Sequence, residues 1–208
     1  ALPILGCGQV LHCPYTADKA RIVVQEMIDG ISLELVEKRL VTDQLVLTVG
    51  YDIENLTRPE IRKVYKGPVT TDRYGRRVPK HAHGTWNLPR ATSSSSELLE
   101  AMAALYDKIV NPALLIRRMS LSACHVVNEK MAKEREQKET FEQLDLFTDY
   151  AKKEAKEKEE QKKRERERRM QEALLTIKKK YGKNAVLRGM NFEEGATAKE
   201  RNGQIGGH

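Results

Sequence analysis

Aromatic residues are scarce in this chain: one Trp, seven Tyr and three Phe make up 5% of its 208 residues. With 39% apolar and 32% charged residues, the full length cannot pack at ordinary globular density, so a compact region must share the chain with solvated segments. Cysteine is also rare. Cys7, Cys13 and Cys124 form no Cys-x-x-Cys pair and leave an odd count, which argues against a disulfide framework and for reduced thiols in a cytoplasm. No apolar run approaches the roughly 18 to 20 residues that a membrane-spanning helix needs, so a soluble protein without a membrane partner is expected. A Gly-rich phosphate loop of the Walker type and a recognisable Ser/His/Asp spacing are both missing, and no small-molecule substrate is expected. His81 and His83 have no third ligand at useful spacing, which leaves no metal site to expect. The chain starts at Ala1-Leu2-Pro3 and finishes at Gly206-Gly207-His208, ends that read as cuts.

What the chain has in quantity is charge. A net +7 favours a polyanionic partner, although many ribosomal, nucleoid and membrane-surface proteins share that balance. Periodicity locates the compact part. Residues 8–12 read as a first strand ended by Pro14, and Thr16 stands where a helix N-cap would be. Ala20, Val24, Met27, Ile28, Ile31 and Leu35 then recur at helical spacing. Leu45, Leu47, Val49 and Tyr51 alternate with Gln44, Val46, Thr48 and Gly50, the two-residue period of a strand. Residues 52–81, with Pro59, Gly67, Pro68, Gly75 and Pro79, read as an excursion from the core. A third strand is expected over 83–88, stopped by Pro89, and Trp86 is expected to pack. The run from Thr92 to Ser96 supplies cap hydroxyls or a phosphate-binding helix N-terminus, before a second helical stripe of Leu98, Leu99, Met102, Leu105, Tyr106 and Ile109. A fourth strand follows over 116–127.

The order strand, helix, strand, strand, helix, strand predicts an α+β fold of the ferredoxin-like split βαβ kind, with helices on one sheet face and the other face open. The chain divides accordingly into a domain at 1–127, a connector at 128–150, a charged helix at 151–182 and a flexible tail at 183–208. Glu154 with Lys158, Glu159 with Lys163, Glu160 with Arg164 and Glu165 with Arg169 are four apart with Glu first, which supports a solvated helix. Met170, Leu174, Ile177 and Tyr181 give its last turns a narrow apolar stripe. The helix lacks the sustained heptad repeat of a coiled coil.

Within the polar connector stand Gln143, Leu144, Asp145, Leu146 and Phe147. Three large apolar residues in four positions call for a covering surface: a pocket for Leu146 and Phe147, oriented by the Gln143 amide, or their own domain. This run resembles the bacterial sliding-clamp-binding peptide, which makes the clamp an expected partner.

The compact part carries a second resemblance. Gln9-Val10-Leu11, Glu26-Met27 and above all the run from Leu40 to Asp52, LVTDQLVLTVGYD, resemble the little-finger domain of Y-family translesion DNA polymerases of the UmuC and DinB type, nearest the Gram-positive UmuC-like branch. Tyr181-Gly182-Lys183-Asn184-Ala185, Gly195-Ala196-Thr197 and the stretch from Arg201 to His208 resemble the C-terminal signature of that branch. The resemblance implies a sheet laid along the backbone of primer-template DNA, in a cytoplasmic, nucleoid-associated protein of DNA repair. Arg73, Arg76, Arg77, Lys80, Arg90, Arg117 and Arg118 are the candidate phosphate contacts, because guanidinium and ammonium groups bind phosphate without reading sequence. Arg117 and Arg118, adjacent on a strand, should point to opposite faces. The family's catalytic palm, with its Ser-x-Asp-Glu segment and two Mg2+ ions, is not represented here. The chain by itself is therefore expected to hold no cofactor and to have no polymerase activity. Rival readings are an RNA-binding or ribosome-associated domain with a charged helical tail, and a scaffold that self-associates through its long helix.

Overall fold

Both helical stripes face one side of a single antiparallel sheet. The computed structural model describes residues 4–140 and 150–203, with side chains over 4–136 and 158–203. In chain order the elements are β1 (Leu5–Tyr15), α1 (Ala17–Lys38), β2 (Leu40–Tyr51), α2 (Glu54–Thr57), α3 (Pro59–Val64), β3 (Val69–Thr71), β4 (Arg77–Pro79) and β5 (Ala82–Thr92). They continue with α4 (Ser95–Ile109), β6 (Ile116–Cys124), β7 (Val127–Asn128), α5 (Glu129–Thr140), α6 (Tyr150–Tyr181), a 3-10 turn at Gly189–Phe192 and α7 (Ala198–Gly203).

The sheet runs β1-β6-β2-β5, with β7 pairing the start of β2. Two split βαβ units interlock: α1 links β1 to β2 across β6, and α4 links β5 to β6 across β2. The fold is α+β, as the order of apolar patterns predicts. The core lies between the sheet and the helix pair, where Val24, Ile28, Leu35, Leu45, Leu47, Leu98, Met102, Leu105 and Leu121 are essentially excluded from solvent. Trp86 packs against this core from β5.

A two-pronged ion pair joins the helices. Arg21 Nε donates to Asp107 Oδ1 at 2.8 Å and Arg21 Nη2 to Oδ2 at 2.9 Å. That hydrogen bonding holds the Asp107 carboxyl below the usual carboxylate range. A lowered carboxyl means that the unfolded chain binds the proton more readily, so the pair's contribution is present at neutral pH and is lost as pH falls through the lowered value. Asp107→Asn should therefore flatten the acid side of the stability profile, measured by urea unfolding across a pH series.

The structure differs from the sequence expectation in four places. β5 continues through Pro89 to Thr92 instead of stopping, because β5 is an edge strand. A register shift opposite Asp43, between the Thr42↔Thr92 and Gln44↔Asn87 pairs, absorbs the missing donor. The excursion at 52–81 holds structure of its own: two short helices and the β3–β4 hairpin. It is rooted by Asn55, which is fully buried. Its amide nitrogen donates to the Asp52 and Leu115 carbonyls, both at 2.8 Å, and its Oδ1 accepts from Leu115 N at 2.7 Å.

The charged helix is not a solvated spacer along its C-terminal half. Gln171, 2% exposed, donates to Ser93 O at 3.0 Å and to Ser95 Oγ at 2.8 Å. Arg168 pairs with Glu129 at 3.3 Å, and Lys179 with Glu37 at 2.7 Å. The docking face is thus polar, while Met170, Ile177 and Tyr181 of the expected stripe point outward. A hydropathy period cannot register contacts made by amides and guanidinium groups.

Residues 183–203 dock too, where a flexible tail is the sequence expectation; 204–208 lie outside the described residues. The anchor is Glu26 of α1, whose side chain is wholly buried. Its carboxylate accepts from Asn191 Nδ2 (2.8 Å), Thr197 N (2.9 Å), Ala198 N (3.0 Å) and Thr197 Oγ1 (3.3 Å), with Arg201 at 3.7 Å. Arg188 pairs with Asp29 at 2.8 Å and Lys19 with Glu194, so polar bonding replaces the apolar packing that the composition lacks.

Candidate nucleic-acid interface

The sheet face away from α1 and α4 mixes glycines and small polar side chains with two valines, Val46 and the exposed Val10. Strand register places them in rows. Gly6, Ser122, Val46 and Thr85 cross the sheet together, as do Gly8, Ser120, Thr48 and His83. Cys124, Gln44 and Asn87 continue the pattern at one end. Within the rows Gln44 Nε2 donates to Asn87 Oδ1 at 2.9 Å, and Thr48 Oγ1 lies 2.9 Å from His83 Nδ1. Trp86, Tyr51 and Tyr15 belong to the core side, so the open face offers hydroxyls, amides, backbone and the His83 imidazole rather than Trp, Tyr or Phe rings.

One cation lies on this face. Arg118 is exposed and crosses Gly50, where a Cβ would come within 2.6 Å of Arg118 Cγ. Arg118 has no hydrogen bond or ion pair among the described residues. Its neighbour Arg117 turns away, as strand geometry requires: its Nη1 donates to His12 O at 3.0 Å and its Nε lies 3.8 Å from Asp52. Arg90 is not on the open face. It pairs with Glu97 in the first turn of α4, because the alternation of β5 runs unbroken through Trp86, Leu88 and Arg90 and turns all three to the helix layer. A phosphate contact is therefore not open to Arg90 without breaking that pair.

The remaining sequence candidates gather on the excursion. Arg73, Arg76, Arg77 and Lys80 are exposed on or beside the β3–β4 hairpin. Residues 58–80 hold eight basic and two acidic side chains, which leaves 29 basic against 28 acidic in the rest of the chain. The net charge of the protein therefore sits on the excursion and not on the sheet face. Both lie at the same end of the sheet, since Arg118 pairs in register with Gly50 and the excursion leaves β2 just after Tyr51.

No family model and no curated protein matches this chain.

At the other end of the sheet, the N-terminus of α4 is filled from within. Ser94 caps the helix by accepting from Glu97 N at 3.2 Å. Glu167 of α6 places its carboxylate against Ser96 N (2.8 Å), Ser94 Oγ (2.7 Å) and Ser96 Oγ (3.0 Å). The serine run thus works as a cap and as a dock for α6; a carboxylate takes the position a phosphate would occupy. The peptide at 143–147, the clamp-binding candidate, lies outside the described residues. The cysteines carry no disulfide among the described residues, and burial pushes the Cys7 thiol up to about 11, which removes it from nucleophilic chemistry at neutral pH. Among the described residues no helix is long and apolar enough to cross a membrane, and no cluster of three metal-ligating side chains forms.

Sequence reasoning missed the contacts that hold the C-terminal region. Gln9, Glu26 and Thr197, far apart in the chain, meet in space: Thr197 Oγ1 lies within donating reach of both the Glu26 carboxylate and Gln9 Oε1, the latter at 3.2 Å. The available signal was a carboxylate, Glu26, standing inside the apolar stripe of α1 with no cation at helical spacing to pair it.

Proposed function

We propose that this chain is the DNA-gripping and clamp-tethering portion of a Y-family translesion DNA polymerase, working beside a separate palm domain that carries the Mg2+-dependent nucleotidyl transfer. The observation that carries this reading is the open face itself: a field of glycines, hydroxyls and amides with Arg118 and Val10 at one end, bordered there by the basic excursion. Small donors and backbone let a sugar-phosphate strand approach closely. The absence of Trp, Tyr and Phe rings from this face among the described residues suits contact with the backbone of paired DNA better than stacking on unpaired bases. Indifference to base sequence is what lesion bypass requires.

The reading is tested by titrating primer-template DNA into the chain at several salt concentrations. Phosphate contacts release counterions, so the logarithm of affinity should fall linearly with the logarithm of salt, by about 0.9 per contact. Salt-independent binding, or a preference for structured RNA in competition, would sink it. The tether has its own test. Leu146→Ala with Phe147→Ala should abolish association with a bacterial sliding clamp and leave DNA affinity unchanged, since avidity from the clamp and contact with DNA are separable. Clamp association retained by that double variant removes 143–147 from the account.

A further inference from the structure

The tip of the β3–β4 hairpin is built to hold two guanidinium groups in place. Asp72 organises the turn. Its Oδ1 accepts from Tyr74 N at 2.9 Å and Arg76 N at 3.0 Å, and its Oδ2 accepts from Arg76 Nε at 2.9 Å. Backbone bonds close the turn, from Asp72 N to Arg76 O at 2.9 Å and from Gly75 N to Asp72 O at 3.0 Å, and Gly75 supplies the left-handed residue at φ 77°. Above this frame projects Tyr74, an aromatic ring 66% exposed to solvent. The Arg73 Cζ lies 4.7 Å from its centroid and the Arg76 Cζ 5.1 Å, while Arg73 Nη2 also donates to the Tyr74 hydroxyl.

A solvent-exposed Tyr has no packing role at this position, and its ring faces are engaged by guanidinium groups rather than left open for a base. An exposed Arg ordinarily samples many rotamers and must give up that freedom to bind phosphate. A ring beneath the guanidinium restricts it beforehand, and the N–H groups not bonded to Asp72 or to the Tyr74 hydroxyl stay free for phosphate. Arg77 and Lys80 extend the same basic strip toward β5 and the open face.

We propose that the hairpin is a second duplex-DNA contact, separate from the sheet face, in which Tyr74 is a positioning residue that braces Arg73 and Arg76 against a phosphodiester backbone. The inference rests on the DNA-binding reading and names which part of the molecule carries most of its electrostatics. The occupant follows from the charge: residues 58–80 hold eight basic against two acidic side chains, and the cations repeat along an extended hairpin whose exposed apolar side chains are scattered, Val64 on α3 and Val69 on β3.

The test uses the full chain and a fluorescein-labelled primer-template duplex, with affinity measured against salt. Arg73→Ala with Arg76→Ala should weaken binding and lower the salt slope by about two, one for each lost phosphate contact. Tyr74→Ala removes no charge, yet should weaken binding about three- to tenfold and lower the slope; Tyr74→Phe, which keeps the ring, should recover most of the affinity. An unchanged urea midpoint in each variant is expected from the Asp72 frame, and separates bracing from a folding defect. If Tyr74→Ala binds with the parent's affinity and slope, the brace is wrong; if the double Arg variant also matches the parent, the hairpin is not a DNA contact, and the sheet reading survives. If instead Arg118→Ala and substitutions at Ser120 and Ser122 leave binding intact while the hairpin variants lose it, the sheet reading fails and the hairpin stands. A parent chain that does not bind the duplex overturns both.

Discussion

Replacing Glu26 by Ala should release residues 188–203 from the face of α1. The carboxylate, itself wholly buried, satisfies the Asn191 amide and the Thr197 and Ala198 N–H groups and lies beside Arg201. Removing one partner from a buried ionic network costs about 3 to 5 kcal/mol, because the groups left behind keep their desolvation without their bonds. Undocking and rehydrating is the cheaper response, so the change should appear first as rapid proteolysis and fast amide exchange over 188–203, ahead of any unfolding of the sheet. Arg201 adds a second mark. Burial holds its guanidinium below the usual range, and release into water should restore it. Unaltered protection of this segment in the Glu26→Ala variant would mean that the tail is held by something other than the carboxylate.

The second large effect is expected at the root of the excursion. Asn55→Ala leaves the Leu115 N–H without its acceptor and takes one donor from the Leu115 carbonyl, in a fully buried site. The expected loss is about 2 to 3 kcal/mol, read from the urea midpoint at constant m. Asn55→Asp should be worse than its near-identical shape suggests: the Leu115 N–H keeps its acceptor, but an oxygen replaces the amide nitrogen facing the Asp52 and Leu115 carbonyls. Because the excursion carries the protein's uncompensated charge, both variants should also weaken DNA binding although neither removes a cation. A variant that loses stability and keeps full DNA affinity would show that the root does not position the hairpin.

Much of the sheet was legible because its information is local. Leu45, Leu47 and Val49 alternate with Gln44, Val46 and Thr48, so the sequence alone assigns one set to the core and the other to the open side, and every one of these residues lies where that parity puts it. The same rule separates Arg117 from Arg118. It also puts Arg90 on the helix side, at the parity of Trp86 and Leu88, where it meets Glu97. The rule fails beyond β7. Gln171, Arg168 and Glu167 look like members of a solvated face, yet they are the residues that dock α6, through Ser93, Ser95, Ser96 and Glu129.

By itself the sequence determined the order of strands and helices, the apolar side of each, and the surplus of cations between Arg58 and Lys80, because period and charge are properties of neighbouring residues. Only the tertiary structure decided that this surplus stands apart from the sheet's open face, that α6 and the segment up to Gly203 fold back on the domain, and that Gln9, Glu26 and Thr197 form one bonded group. Polar contacts between residues more than 170 positions apart leave no periodic trace. They depend on the distance and direction of single hydrogen bonds, which exist only once the chain has been brought together.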